Sequence, residues 1–266
     1  MQLGASTVSY KAGPLTEAVI RRFADAGVES IELSDLHPGF DFGDPGLRCL
    51  VAGALQATGL HLNSIHIHLR NRESWCDLAT LDAERREPSL AMHREAVDMA
   101  ATLGGCILVT HDIVIPDPGV EDSSRKRDAF LKNLGQIAEY AAPRDVRIAL
   151  ENTGLGYTRE PDRLAGLLED LGAANVGAVI DTGHRNLCGD PVEALRTVGD
   201  HLISLHLHDN DGEEDQHLLP GRGAIDWSGV VRALRDVDYD GVFMYELIRP
   251  DDLNELRTNK AGLLNA

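Results

Sequence analysis

The sequence predicts one α/β domain over residues 1–266, a (β/α)8 barrel with its active site at the carboxyl-terminal face of the strands. Three observations predict it. Short aliphatic runs alternate with helix-like stretches along the chain, the order that builds a parallel sheet. Four of those runs end in a metal-binding side chain: 146–150 before Glu151, 176–180 before Asp181, 202–205 before His206 with His208 two residues on, and 242–245 before Glu246. The chain has 266 residues, 43% of them hydrophobic, which suits one α/β barrel and is enough to fill its core.

Eight strands can be placed in order, at 2–6, 30–33, 61–66, 106–110, 147–150, 176–180, 202–205 and 241–245. Most are β-branched or aliphatic, as strands covered on both faces are. Helix patterns fill the gaps. Residues 15–26 carry Leu15, Ala18, Val19, Phe23 and Ala26 on one stripe and stop at Gly27. Residues 46–58 stop at Gly59 and residues 94–103 at Gly104. Residues 123–142 run to Pro143, which cannot continue a helix. Pro161 and Pro191 open helices over 161–171 and 191–198, the second behind Asp190 as an N-cap. A last helix covers 227–237. A doubly wound open sheet is the rival architecture, but the glycine-rich fingerprint expected after its first strand is missing.

Two irregular regions interrupt the alternation. Residues 67–91 are too long for an ordinary connection and read as an insertion over the barrel mouth. Residues 209–226 are polar and glycine-rich, the composition of a functional loop.

Lys and Arg number 25 against 43 Asp and Glu, a net charge of −18. Such a surface repels phosphate backbones, which argues against a nucleic-acid partner and for a small substrate. Cys49, Cys76, Cys106 and Cys188 form no CxxC pair and are expected as reduced thiols of a cytoplasmic protein. The start MQLGASTVSY lacks a basic segment followed by an apolar run, and no stretch approaches the ~18 apolar residues of a membrane span. A homo-oligomer is compatible with the fold.

In a barrel the strand ends converge. They bring together His66 or His68, His111, Glu151, Asp181, His206 or His208, and Glu246, followed by His184 in DTGH and Asp215 with His217 in DQH. Singly these residues are ambiguous. Asp181 equally suits a helix N-cap, and isolated His61 and His201 read as structural or solvent-facing. The coincidence of four strand ends that each carry a ligand-type residue points to a shared metal site, because buried charge is costly unless paired or metal-bound. Mixed oxygen and imidazole donors suit Mn²⁺, Zn²⁺, Co²⁺ or Mg²⁺. His206 and His208 share one face of their strand; the deeper His206 has the more fixed position and is favoured as the ligand, with His208 as a substrate contact or a supporting partner.

The motifs ALENTG (149–154), VIDTGH (179–184), HLHDNDG (206–212), DQHLLPGRGAIDW (215–227) and YEL (245–247) resemble the sugar isomerase/epimerase superfamily with the xylose-isomerase-like barrel, which also includes the apurinic endonucleases. Gly4, Ser6 and Glu32 fit the usual opening of these proteins. The resemblance implies one divalent ion held by Glu151, Asp181, the strand-seven histidine and Glu246. It implies a small sugar-like substrate, with His184 and His217 touching it and His66, His68, His111, His208, Asp215 and Arg222 as further candidate contacts. Arg222 stands where many relatives carry Glu and is either an anion contact or a plain surface residue. The expected reaction is isomerisation or epimerisation of a sugar, sugar phosphate or keto-polyol through a metal-bound enediolate. Glu151 and Glu246 exchange the proton, His184 bonds the polarised oxygen, and Trp75 with the 67–91 insertion shields the site. Two alternatives share the scaffold: a dehydratase of an inosose or dehydroshikimate-like substrate, and an apurinic endonuclease-like hydrolase with up to three zinc ions, the extra ligand positions falling on His66 or His68, His111, His184, Asp215 and His217.

Overall fold

The computed structural model describes residues 1–266 apart from 69, 72, 73, 76, 113, 114 and 266, with 70, 71, 74, 75 and 250 described by backbone alone. Cys76 and the side chain of Trp75 therefore lie outside the described residues.

Eight parallel strands form the barrel: β1 (Gln2–Ser6), β2 (Ser30–Ser34), β3 (His61–His66), β4 (Ile107–Thr110), β5 (Arg147–Glu151), β6 (Val176–Asp181), β7 (Leu202–His206) and β8 (Val242–Tyr245). Each pairs with its neighbour in sequence, and β8 returns to β1 with Gln2 beside Val242. The remaining seam, β7 to β8, closes just beyond β7. There the Leu207 N–H donates to Met244 O at 2.8 Å and the Glu246 N–H donates to Leu207 O at 3.2 Å. A two-stranded hairpin, Arg70–Asn71 with Ser74–Trp75, stands apart from the barrel sheet.

The helices are α1 (Glu17–Asp25), α2 (Pro45–Thr58), α3 (Ala83–Thr102), α4 (Ser123–Ala141), α5 (Pro161–Leu171), α6 (Thr182–Asn186), α7 (Pro191–Val198), α8 (Trp227–Asp236) and α9 (Leu256–Asn265). Their starts follow the side-chain capping rule. Asp44, Asp82, Asp181, Asp190 and Asp226 each accept a backbone N–H of their own first turn. Gly59 and Gly172 end α2 and α5 in the left-handed conformation, at φ 74° and 61°.

Three elements depart from the sequence expectation. The helix expected over 94–103 begins eleven residues earlier, at Ala83, so about a third of the expected insertion, residues 83–91, is helix. Pro88 argued for a break, but its missing N–H leaves only the carbonyl of exposed Glu84 without an intrahelical partner. Burial of Ser89, Leu90, His93, Ala96 and Val97 outweighs that loss. The other two, α6 and α9, fall where no apolar period announces a helix; α6 is a single turn capped by Asp181.

The main hydrophobic cluster fills the layer between strands and helices, with Phe23, Val51, Val97, Phe130, Leu164, Leu195, Val230 and Leu234 facing Leu33, Ile65, Leu108, Ile148, Ile180 and Leu205. A smaller cluster of Ile107, Val109, Ala149 and Val179 plugs the barrel interior. Because strand side chains alternate, the residues two positions beyond that plug on β5 and β6, Glu151 and Asp181, also point inward at the mouth.

Candidate metal centre and active site

Strand register assembles the site. Asp181 pairs with His206 across β6 and β7, and Glu32 pairs with Ser64 across β2 and β3, so each pair shares the inward face. With His66 at the end of β3, His111 just past β4 and Glu246 just past β8, the mouth holds a buried cluster of carboxylates and imidazoles.

Glu151 is its hub. Oε1 lies 3.1 Å from His206 Nδ1 and 3.4 Å from His184 Nδ1. Oε2 lies 3.0 Å from His111 Nε2 and 3.2 Å from His66 Nε2. Glu246 closes the far side, with Oε1 at 3.4 Å from His66 Nδ1 and Oε2 at 3.7 Å from His206 Nδ1. A second layer sits toward solvent. His208 Nε2 is 3.0 and 3.1 Å from the two oxygens of Asp181, and its ring stacks on His217 with centroids 3.8 Å apart. Asp215 reaches His184 at 3.5 Å and His217 at 3.3 Å. His217 adopts φ 47° while its Nδ1 bonds Glu246 O at 2.8 Å, tying the 209–226 loop to the end of β8.

Burial and pairing set the charges. Burial would raise the pKa of Glu151, but His206, His111 and His66 outweigh it and hold the carboxylate well below its ordinary range. Glu246 behaves alike under His206 and His66, although Glu151 opposes the shift. Burial disfavours the cations of His66, His184 and His206, yet their carboxylate neighbours raise all three well above the ordinary imidazole value. His217 rises to about 9, burial being overcome chiefly by Asp215.

The donor set fits a divalent ion. Among the described residues, four groups have ligand atoms mutually within 4.8 Å: Glu151, Asp181, His206 and Glu246; His66, His111 and Glu151; Glu32, His66, His206 and Glu246; and His184, His208, Asp215 and His217. Both oxygens of Glu151, His206 Nδ1, His111 Nδ1, His66 Nδ1 and His208 Nδ1 are buried without a hydrogen-bond partner. Buried polar atoms normally find one, and these oxygens and imidazole nitrogens are the donor types that ligate a divalent cation.

The structure brings together Glu151, Asp181, His206, Glu246, His66, His111, His184, His208, Asp215 and His217. His68 stacks on His66 with centroids 3.9 Å apart, but its Nδ1 is engaged by Asp35 at 2.8 Å. Arg222 is used elsewhere: Asp252 and Glu255 each take one of its amino groups at 2.8 Å, so its charge is matched by the segment preceding α9. Three contributors escaped the sequence reading of the site. Glu32 lies in mid-strand with Oε2 at 2.9 Å from His206 Nε2. Asp112 holds the Thr158 hydroxyl and N–H, and that hydroxyl also reaches Glu151 O at 3.2 Å; burial lifts the Asp112 carboxyl to about 7 despite these bonds. Asp209 gathers the 209–226 loop. The available signal was a charged residue inside or directly after an apolar run.

The family model described as xylose isomerase-like TIM barrel matches residues 20–264. Among solved structures, a D-tagatose 3-epimerase-like protein superposes with a TM-score of 0.87 at 23% identity, covering 100% of this chain and 97% of that one. A D-psicose 3-epimerase structure determined in the presence of D-fructose gives 0.81 at 18% identity, with 100% of both chains covered. At these identities the likeness speaks for the fold. Among curated proteins, an uncharacterized protein of Methanocaldococcus jannaschii is 32% identical over 176 residues, 63% of this chain and 59% of that protein. D-psicose 3-epimerase of Enterocloster bolteae is 30% identical over 129 residues, 47% and 41% respectively. Probable endonuclease 4 of Mycobacterium leprae is 26% identical over 224 residues, 79% and 83%. The chain thus spans about half the length of the first two of these relatives.

Proposed function

Because the chain belongs to the xylose isomerase-like TIM barrel family, we propose that it is a divalent-metal-dependent isomerase or epimerase of a sugar, sugar phosphate or keto-polyol. The observation that carries this reading is the pair Glu151 and Glu246, both buried and both close to His206 Nδ1, at 3.1 and 3.7 Å. Two buried carboxylates from the ends of different strands, β5 and β8, can approach a bound sugar from different sides, which suits removal of a proton from one face of a carbon and its return to the other face or to the neighbouring carbon. Curated relatives named D-psicose 3-epimerase and inosose isomerase point the same way.

A single ion, Mn²⁺, Zn²⁺, Co²⁺ or Mg²⁺, held by Glu151, Asp181, His206 and Glu246 would polarise the substrate carbonyl and stabilise the charge that develops on its oxygen. Glu151 is the base nearer the side-chain layer of His184 and Asp215, and Glu246 comes from the end of β8 beside His66 and His206. Both are held ionised, the form a base requires. A carboxylate held so far down is also a weak base, and loss of the imidazolium protons of His66 and His206 relaxes that hold. His184, whose ring spans Glu151 and Asp215 at 3.4 and 3.5 Å, is placed to donate to a substrate oxygen. His217 and Asp215 line the solvent side, with His208 buried beneath His217.

Incubating the metal-loaded protein with ketoses and inososes in D₂O tests this. Deuterium on carbon with an intact skeleton supports the proposal. Loss of one water assigns a dehydratase instead. A protein that holds no divalent ion and gains no activity with any of the four would end the metal reading. One observation favours a second reading: His66, His111 and Glu151, and the group of His184, His208, Asp215 and His217, offer room for further ions. Three zinc ions per chain with cleavage of abasic DNA would establish that hydrolase, against the repulsion expected from a net charge of −18.

A further inference from the structure

Glu32 stands in the middle of β2, fully buried, between Ile31 and Leu33. An ionised carboxylate at such a place costs several kcal/mol unless its oxygens are paired. Two donors converge on Oε2: the Ser64 hydroxyl at 2.7 Å and His206 Nε2 at 2.9 Å. Ser64 is the register partner on the adjacent strand, a local contact. His206 lies on β7 and is reached across the barrel interior, so this second bond links opposite walls of the mouth.

That bond decides which nitrogen of His206 is free. The two ring nitrogens point away from each other. A proton on Nε2 shared with Glu32 leaves the lone pair on Nδ1, and Nδ1 is the atom that faces Glu151 and Glu246 and lacks a hydrogen-bond partner. His208 differs in the carboxylate it meets, which is Asp181, itself one of the candidate ligands. Its Nε2 faces both oxygens of Asp181, and its buried Nδ1 has no partner to hold a proton. His206 differs in that its unpartnered nitrogen faces Glu151 and Glu246 while its other nitrogen is held by Glu32, a carboxylate outside the set Glu151, Asp181, His206 and Glu246.

We propose that Glu32 is a positioning residue of the metal centre: it holds His206 as the Nε2–H tautomer and so presents Nδ1 to a divalent ion shared with Glu151, Asp181 and Glu246. The inference rests on the metal-dependent reading above. A carboxylate behind a ligating histidine orients the ring and raises its basicity, and removing such a carboxylate commonly weakens metal binding by about 10–100-fold. In this arrangement Glu32 supports the ligand rather than joining it: its Oε2 bonds His206 Nε2, on the far side of the ring from Nδ1, and its Oε1 lies 3.6 Å from His66 Nδ1.

The probe is Zn²⁺ alone. In full-length protein carrying ¹⁵N-labelled histidine, long-range ¹⁵N–¹H correlation spectra report each imidazole tautomer with and without Zn²⁺. The expected result is zinc on His206 Nδ1, with a hydrogen-bonded proton on Nε2. Zinc on His206 Nε2, as an ion shared by Glu32, His66, His206 and Glu246 would require, overturns the proposal. So does zinc bound through His208 with His206 unperturbed. Calorimetric titration of Glu32→Gln, which keeps the size but removes the charge, is expected to show roughly 10–100-fold weaker Zn²⁺ binding. Wild-type affinity in that folded variant also overturns it. If Glu32→Gln does not fold, the spectrum of the unaltered protein decides alone. A wild-type protein that binds no zinc, manganese or cobalt defeats the metal reading itself, an outcome distinct from a misplaced tautomer.

Discussion

Glu151 and His206 meet at 3.1 Å, Oε1 to Nδ1, although β5 and β7 that carry them are not neighbours in the sheet. The contact crosses the barrel mouth, and Glu246 approaches the same nitrogen from the end of β8. Replacing either carboxylate by its amide separates chemistry from folding. Glu151→Gln and Glu246→Gln are expected to lower kcat on the true substrate by at least about 10²–10⁴-fold, the range for losing a positioned acid or base. Far-ultraviolet circular dichroism should remain that of the native barrel. Near-native turnover in either folded variant removes that residue from the proton-transfer role.

The strand-end residues were readable because a parallel barrel sends one end of every strand to one place, and an apolar run stopping at Glu or Asp marks that end. Glu32 was not readable in its role. It lies inside β2 rather than at its end, and the partner that gives it meaning is 174 residues away. Arg222 shows the converse. Its place in the GRG motif left an anion contact and a plain surface residue both open, and the partners that pair with it, Asp252 and Glu255, belong to a segment with no helical period of its own. The early start of α3 was hidden because Pro88 reads locally as a breaker, whereas burial of Leu90 and His93 is a tertiary fact.

Metal binding should stabilise the fold, and more so at higher pH. The carboxylates Glu151, Glu32 and Glu246 keep His206 protonated above the ordinary imidazole value against the effect of burial. An ion must displace that proton, so affinity rises with pH and falls as pH drops. At 100-fold excess over Kd the gain is about 2.7 kcal/mol, or roughly 5–10 °C in Tm for a chain of this size. Thermal melts with and without EDTA at pH 6 and pH 8 measure both. An EDTA effect that is larger at pH 6 contradicts the assignment.

His93 is expected to make the fold acid-sensitive. It is buried, with Nδ1 against Ser89 O at 2.8 Å and Nε2 against Thr110 Oγ1 at 3.2 Å. Burial outweighs the Ser89 bond and lowers its pKa to about 4. The folded protein therefore keeps His93 neutral where the unfolded chain takes up a proton. Stability contributed in this way is complete above about 6.5 and is lost as pH falls toward 4, up to about 3 kcal/mol. Urea unfolding of the wild type and of His93→Gln across that window tests it: the variant should show a shallower fall of stability with pH. Parallel curves would place the acid sensitivity elsewhere.

Asp209 should matter to activity without touching the ion. Its carboxylate is fully buried and accepts four N–H groups: Asn210 at 2.9 Å, Gly221 at 2.8 Å, Ile225 at 3.2 Å and the Trp227 indole at 2.8 Å. Its backbone pairs with Leu218 in both directions at 2.8 Å. One residue thus fastens the start, middle and end of the loop that carries Asp215 and His217. Gly223 is required beside it, since a Cβ there would stand 2.3 Å from Asp209 Oδ1 and from Asn210 O. Asp209→Ala leaves several buried donors unpaired at about 1–3 kcal/mol each, so a loss of at least about 2 kcal/mol is expected after partial relaxation. Asp209→Asn keeps one acceptor oxygen and should fall between the two. If the loop positions His217 and Asp215 for substrate, both variants raise KM while the affinity of Glu151, Asp181, His206 and Glu246 for the ion stays near wild type. Calorimetric metal titration beside steady-state kinetics reads the two effects separately, and an unchanged KM in folded Asp209→Asn would show that the loop does not position the substrate contacts.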